Sequence, residues 1–263
     1  MDILDNIFAA AQKIGGRYFV AATVAWFIFY ILLRSRLAHK KIQQKWPGKA
    51  DYIREIGYSV ATIGLFSIIS YFFLFHPTIR PYTQRYDEWN AYGTAWSVAA
   101  FPIMLFVHDT YFYFTHRLMH HPLLFKWFHL VHHRSTNPTP YAAYAFHPLE
   151  AIVEIGILPV FLFLFPLHIL HIAFFFLFMI VYNVYGHLGF ELYPAGFHKS
   201  WFGKWVNTSV NHNQHHQYFK GNYGLYFLFW DRWLGTIRKD YDQQYEKVKA
   251  ATPASLNTYK AAE

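Results

Sequence analysis

Apolar runs of near membrane length alternate along this chain with short polar, turn-rich stretches. Residues 17–34, RYFVAATVAWFIFYILLR, carry no charge between their two arginines. At 1.5 Å per residue they are about long enough for a bilayer core of roughly 30 Å. Residues 1–16 read as a short amphipathic lead-in to that span. Gly57 to Phe75, GYSVATIGLFSIISYFFLF, predicts a second span. A third begins near Thr94 and runs into a histidine-rich segment. Leu149 to Gly186 is apolar but interrupted by FPLH, and Pro166 divides it into two halves, each short for a span. This predicts a membrane hairpin, with a re-entrant pair as the alternative. Residues 134–148, RSTNPTPYAAYAFHP, are too turn-rich for one helix. The expected class is all-α, an integral membrane bundle of four to five membrane helices or half-helices with a cytosolic, histidine-rich helical cap.

Charge sets the orientation. Arg34, Arg36, Lys40, Lys41, Lys45, Lys49 and Arg54 follow the first span, against only Asp51 and Glu55. Such an excess marks a cytoplasmic loop. The third span then travels inward and delivers its histidines to the cytoplasmic face. The formal charge of +8 is explained by these flanking residues, and no nucleic-acid partner is expected. Only 14% of residues are charged and 22% are aromatic. Trp96, Trp127, Trp201, Trp205 and Trp230 fall near predicted membrane borders, where indoles anchor. Cysteine is absent, which excludes disulfides, thiolate zinc sites and iron–sulfur clusters. The first apolar run lacks the small-residue cleavage site of a signal peptide. The expected division is 1–93 for the N-terminal membrane helices, 94–240 for a catalytic domain and 241–263 for a polar, solvent-exposed tail.

Seven of the 17 histidines lie between His108 and His133. His116 and His120 are spaced to leave one helix face together. His129 stands three before His132 and four before His133, and His212, His215 and His216 repeat that spacing. Imidazole is a good ligand for iron, zinc, copper and nickel. Without metal, such crowding repels when protonated and strands polar nitrogens when neutral. Three helix-spaced sets therefore predict more than one metal. Asp109, seven before His116, faces the same way and is expected to steady a ligating ring. His108 is offset around that helix by roughly 80°, and His121 points away. Glu150 and Glu154 stand either as helix caps or near the metals.

HRLMH, HLVHH and HNQHH resemble the three histidine boxes of the fatty acid hydroxylase / sterol desaturase superfamily. HDTYFYFTHRLMHH resembles the approach to its first box. FHPLE at 146–150, GHLGFE at 186–191 and NYG…WDRWLGT at 222–236 resemble further landmarks in the same order. The likeness covers about residues 90–240. It implies a membrane enzyme with a cytosolic centre of two iron ions, using O2 and two electrons to hydroxylate or desaturate a lipid C–H bond in a fatty acyl chain or sterol. Carried over, the metal ligands are His116, His120, His129, His132, His133, His212, His215 and His216. His187 matches a further ligand, and His147, where the family keeps a histidine before proline, is implied as another ligand or as a ring just behind the ligands. Some members carry another histidine four residues before the position of His187; here it is Asn183.

Such a C–H bond is too strong for acid–base or nucleophilic side chains, which is why a redox metal pair fits. Hydroxylation is the simpler expected outcome. No flavin, nicotinamide or fused cytochrome motif is present, so electrons are expected from a separate cytochrome or ferredoxin with its reductase. A zinc-dependent membrane hydrolase would place an acid inside a histidine set, as in HExxH, and none is there. A metal transporter or sensor would line the spans themselves with ligands.

Overall fold

The computed structural model describes residues 2–254. Helices dominate them. The first, α1 (Ile3–Trp26), starts at Asp2, whose carboxylate accepts from Leu4 N. It continues through a π-helical turn, Phe27–Leu32, so the expected lead-in and span are one helix. The short α2 (Arg34–Leu37) and a polar loop lead to α3 (Lys49–Leu74), which returns along α1. α1 with its π-turn, α3, and α9 (Ile169–Gly186) are long and apolar enough to cross a membrane.

The expected third span is α4 (Gly93–Met119). It is continuous across Pro102 but falls outside that apolar set, because its second half carries His108, Asp109, Thr110, Thr115, His116 and Arg117. After α5 (Pro122–Phe128) and α6 (Leu130–His133), the turn-rich stretch folds as a 3-10 turn over Pro140–Tyr144. The predicted hairpin forms in outline. Its outgoing arm is two eight-residue helices, α7 (Pro148–Ile155) and α8 (Ile157–Leu164), joined at Gly156. A Cβ at Gly156 would collide with the Tyr111 hydroxyl and lie 2.9 Å from the Val153 carbonyl oxygen, so Tyr111 crosses close over the joint. Neither short helix spans alone. At the far turn, β1 (Arg85–Tyr86) pairs in parallel with β2 (Leu167–His168). Then α9 runs back.

Packing between α1, α3, α4 and the hairpin forms the main core, with Tyr18, Met104, Phe161 and Phe175 fully buried. Connections at one end bind the helices together. Tyr30 at the end of α1 donates to Leu188 O, after α9. Glu55 at the start of α3 accepts from Ser135 and Thr139. That same end receives the C-termini of α4 and α9. Three more helices complete it: α10 (Ser209–Tyr218), α11 (Phe229–Trp233) and α12 (Tyr241–Ala250).

The expected polar tail is in part structured. Tyr241, Tyr245 and Val248 fall on one side of α12 and bury against Ile42 and Val210. Residues 255–263 of that tail lie outside the described residues.

Candidate metal centre

Each helix that ends at this pole carries rings into it. His116 and His120 close α4, His129 caps α6, and His132 and His133 lie within it. His187 is the C-cap of α9. α10 brings His212, His215 and His216. Its start is held twice, since Thr208 accepts from Asn211 N and Glu191 accepts from Val210 N.

The rings sort into two groups. His116, His120, His129, His133 and His215 form one, and His132, His187, His212 and His216 the other. Within the first, Nε2 atoms face one another at 2.8 Å for His116 and His129 and 3.1 Å for His120 and His215. Within the second, His187 Nε2 lies 3.1 Å from both His212 Nε2 and His216 Nε2, and 3.3 Å from His132 Nε2. Nitrogens each about 2.1 Å from one ion lie about 3.0–3.4 Å apart. The second group and the nitrogens of His120, His133 and His215 in the first have that spacing, while the His116–His129 pair is slightly closer.

The opposite nitrogens settle the protonation of four of these rings. His116 Nδ1 donates to Tyr223 O at 2.9 Å and His215 Nδ1 to Gly221 O at 2.8 Å. His187 Nδ1 donates to Asn183 O at 2.7 Å and His216 Nδ1 to Ser135 O at 3.0 Å. His129 Nδ1 meets the Glu150 carboxylate at 2.7 Å. A neutral ring that donates from Nδ1 keeps a bare lone pair on Nε2. Burial holds His116 and His187 down to about 4, and pushes the other rings of both groups low as well, with neighbouring imidazoles adding to the effect at His129, His132 and His212. Lone pairs of neutral rings therefore converge on two points, which favours a cation at each.

The sequence-predicted residues divide clearly. Nine of the ten expected histidines enter these groups, and His147 does not. Its ring caps α7, with Nδ1 accepting from Leu149 N, and joins neither cluster. Its Nδ1 lone pair is taken up by the start of α7. Asn183 also turns away: its Nδ2 donates to Ala143 O. His108 pairs with the Tyr226 hydroxyl, and His121 caps α5.

Asp109 does not hold a ring. Its Oδ1 accepts from Tyr226 N and Phe227 N. It faces inward as its spacing suggested, but the segment 223–227 lies between it and the rings. Asp231 binds the front of that segment, at Tyr223 N and Gly224 N. The two acids thus fix the strip whose Tyr223 carbonyl steadies His116.

Ring support from backbone carbonyls has no residue-type signature, and reading residues alone missed it. One trace was available in the turn 219–222. Gly221 has φ +79, and a Cβ there would lie 2.6 Å from Thr236 O. Glycine is needed for that path, and Phe219 and Asn222 are left-handed beside it. Of the two candidate acids, Glu150 meets a ring, while Glu154 sits one turn along the same face of α7.

Comparison with known proteins agrees with this arrangement. Residues 101–236 match the family described as fatty acid hydroxylase. A lathosterol oxidase of Rattus norvegicus is 32% identical over 228 residues, covering 84% of this chain and 70% of the rat protein. A Delta(7)-sterol 5(6)-desaturase of Aspergillus fumigatus is 29% identical over 231 residues, 88% of this chain and 61% of the fungal one. The lathosterol oxidase of Homo sapiens is 29% identical over 223 residues, 84% and 70% of the two chains. No solved structure matches. The matched segment carries every ring of both groups and one of the three helices of membrane length, so the chain belongs to the fatty acid hydroxylase family of membrane-bound, oxygen-dependent lipid oxidoreductases.

Proposed function

We propose that the two ring groups each hold one iron ion, and that the enzyme desaturates a sterol or a sterol-like fused-ring lipid. The nine histidines other than His147 are the ligands, within a catalytic unit of about residues 94–240. The observation that carries this is the convergence of ring nitrogens from nine histidines, five in one group and four in the other. Imidazole alone suits several metals, and the family's chemistry selects iron among them. Bound iron supplies the oxidising power that no protein side chain has.

The chain's own residues do the rest. Glu150 and the carbonyls of Tyr223, Gly221, Asn183 and Ser135 keep the rings in one tautomer and orientation. Phe112 packs on His116 at 4.9 Å between ring centroids, and Phe146 on His132 at 5.2 Å. Each group thus has an apolar wall that excludes water and accepts hydrocarbon. In the overall reaction the substrate loses two hydrogens from adjacent carbons, and O2 with two further electrons and two protons leaves as two waters.

The relatives' names, sterol oxidase and desaturases, favour desaturation over the hydroxylation that simplicity suggested. The basic loop between α2 and α3 lies at the ring-bearing pole, where Lys41 donates to Asn137. That supports a cytoplasmic catalytic side. Electrons then come from a separate cytochrome or ferredoxin on that side. A zinc hydrolase is disfavoured, because the carboxylate nearest the rings, Glu150, is engaged by His129.

Lipid analysis of cells with and without the gene under 18O2 tests the reading. A product two hydrogens lighter, unlabelled and absent when His215 is replaced by Ala, is expected. A product carrying 18O would make the enzyme a hydroxylase. Unchanged lipids together with a metal other than iron in the purified protein would overturn the proposal.

A further inference from the structure

A cavity of about 450 Å³ opens between α1, α3, α8 and α9. That is within the range of small-molecule sites. It is remote from both ring groups at its mouth. Lys13 and Arg17 stand there, on α1, roughly 20–25 Å along the helix axis from Tyr30, which marks the ring-bearing pole. Its inner end, at Tyr144 and Ile180, comes nearer, since Ile180 lies about 10 Å along α9 from His187. The walls are apolar, with Phe66, Leu158, Ile172 and Phe176 among them.

The charge at the mouth is one-sided. No carboxylate lines the cavity. Among the described residues neither Lys13 nor Arg17 forms an ion pair. Arg17 donates from Nη1 to Ala173 O across the opening, which sets its guanidinium between α1 and α9. A guanidinium and an ammonium one helical turn apart, above a greasy slot, match an acyl chain with a single anionic head. A sterol has no such charge. We propose that this cavity is a second lipid site, separate from the place of oxidation. It takes an amphiphile with an anionic head group, a fatty carboxylate or an acidic phospholipid, with the head at Lys13 and Arg17 and the chain directed toward Tyr144.

The full-length protein in phosphatidylcholine nanodiscs is titrated with oleate and with oleyl alcohol, which share a chain and differ in charge. Wild type is expected to bind oleate saturably and at least about tenfold more tightly than the alcohol. The Lys13→Gln, Arg17→Gln double variant is expected to erase that difference by weakening oleate alone. Arg17→Lys, which keeps the charge, is expected to retain the preference, and Ala173→Trp, which fills the mouth, to lose both ligands. Metal content and helicity of each variant serve as the check on folding. Displacement of oleate by phosphatidylglycerol would identify a phospholipid head as the natural group; no displacement would identify a free carboxylate. Equal affinity for oleate and oleyl alcohol in wild type would overturn the proposal, as would full oleate binding by the double variant. None of these readouts depends on the oxidation reaction.

Discussion

Glu150 Oε1 lies 2.7 Å from His129 Nδ1, and both side chains are almost wholly buried. A carboxylate in this place fixes the ring and strengthens the opposite nitrogen as a ligand. Replacing Glu150 by Gln should weaken metal retention by roughly 10–100-fold. Chelator-driven metal loss followed by elemental analysis measures it. An unchanged loss rate would show that the pair serves packing alone.

The two groups make separable predictions. His215 belongs to the five-ring group and His132 to the four-ring group. Ala at either position should empty one site and leave the other largely filled, while the protein still inserts into the membrane. Turnover should vanish in both. Metal-to-protein ratios of about one, against about two in the parent, are expected. Full activity in either variant would refute the assignment.

Asp109 predicts a folding defect more than a ligand defect. One oxygen accepts two backbone N–H groups in a buried setting. Ala strands both donors, at about 2–3 kcal/mol or more. Asn keeps an acceptor there and should cost less. Thermal melts of the two variants give the order, and the order Asn worse than Ala would contradict the geometry.

His147 should be dispensable for metal. Its Ala variant loses a helix cap, at about 1 kcal/mol, and should keep the parent's metal content and absorption spectrum. A fall in bound metal with no change in melting would restore it to the ligand set.

Lys41 gives a pH dependence. Burial pushes its ammonium from 10.5 down to about 7, although Nζ donates to Gln43 O and Asn137 Oδ1. The folded chain then sheds this proton near pH 7 while the unfolded chain holds it to about 10.5. Between those values the unfolded state binds more protons, so stability rises with pH, by at most about 1.4 kcal/mol per unit. Melting points at pH 7.5 and 9.0 should diverge more in the parent than in Lys41→Met. Parallel shifts would mean that Lys41 stays charged.

Much of the candidate site's geometry was legible because imidazole is a specific metal donor whose helical spacing can be read directly. Spacings of three and four put His116 with His120, and His212 with His215 and His216, on shared faces whatever surrounds them. The division into groups was not legible: adjacent His132 and His133 enter different ones, because successive helical residues diverge by about 100°. Asp109 faces the interior as its spacing implied, yet what it meets depends on a strip more than a hundred residues away in sequence. For the fold, apolar length located α3 and α9. It placed the start of α1 too late, because the polar positions of residues 3–16 interrupt hydropathy without interrupting the helix. The tail was misjudged for a similar reason, since three spaced apolar residues suffice to dock α12.

Four of the ring anchors are main-chain oxygens, at Ser135, Asn183, Gly221 and Tyr223. Every amino acid owns such an oxygen. Exchange of the side chain at 135, 183 or 223 leaves the anchor in place, whereas one residue inserted between 216 and 221 would slide two anchors out of register together. Loops at this pole are therefore tolerant in spelling and strict in length, and a deletion scan would chart them more sharply than an alanine scan.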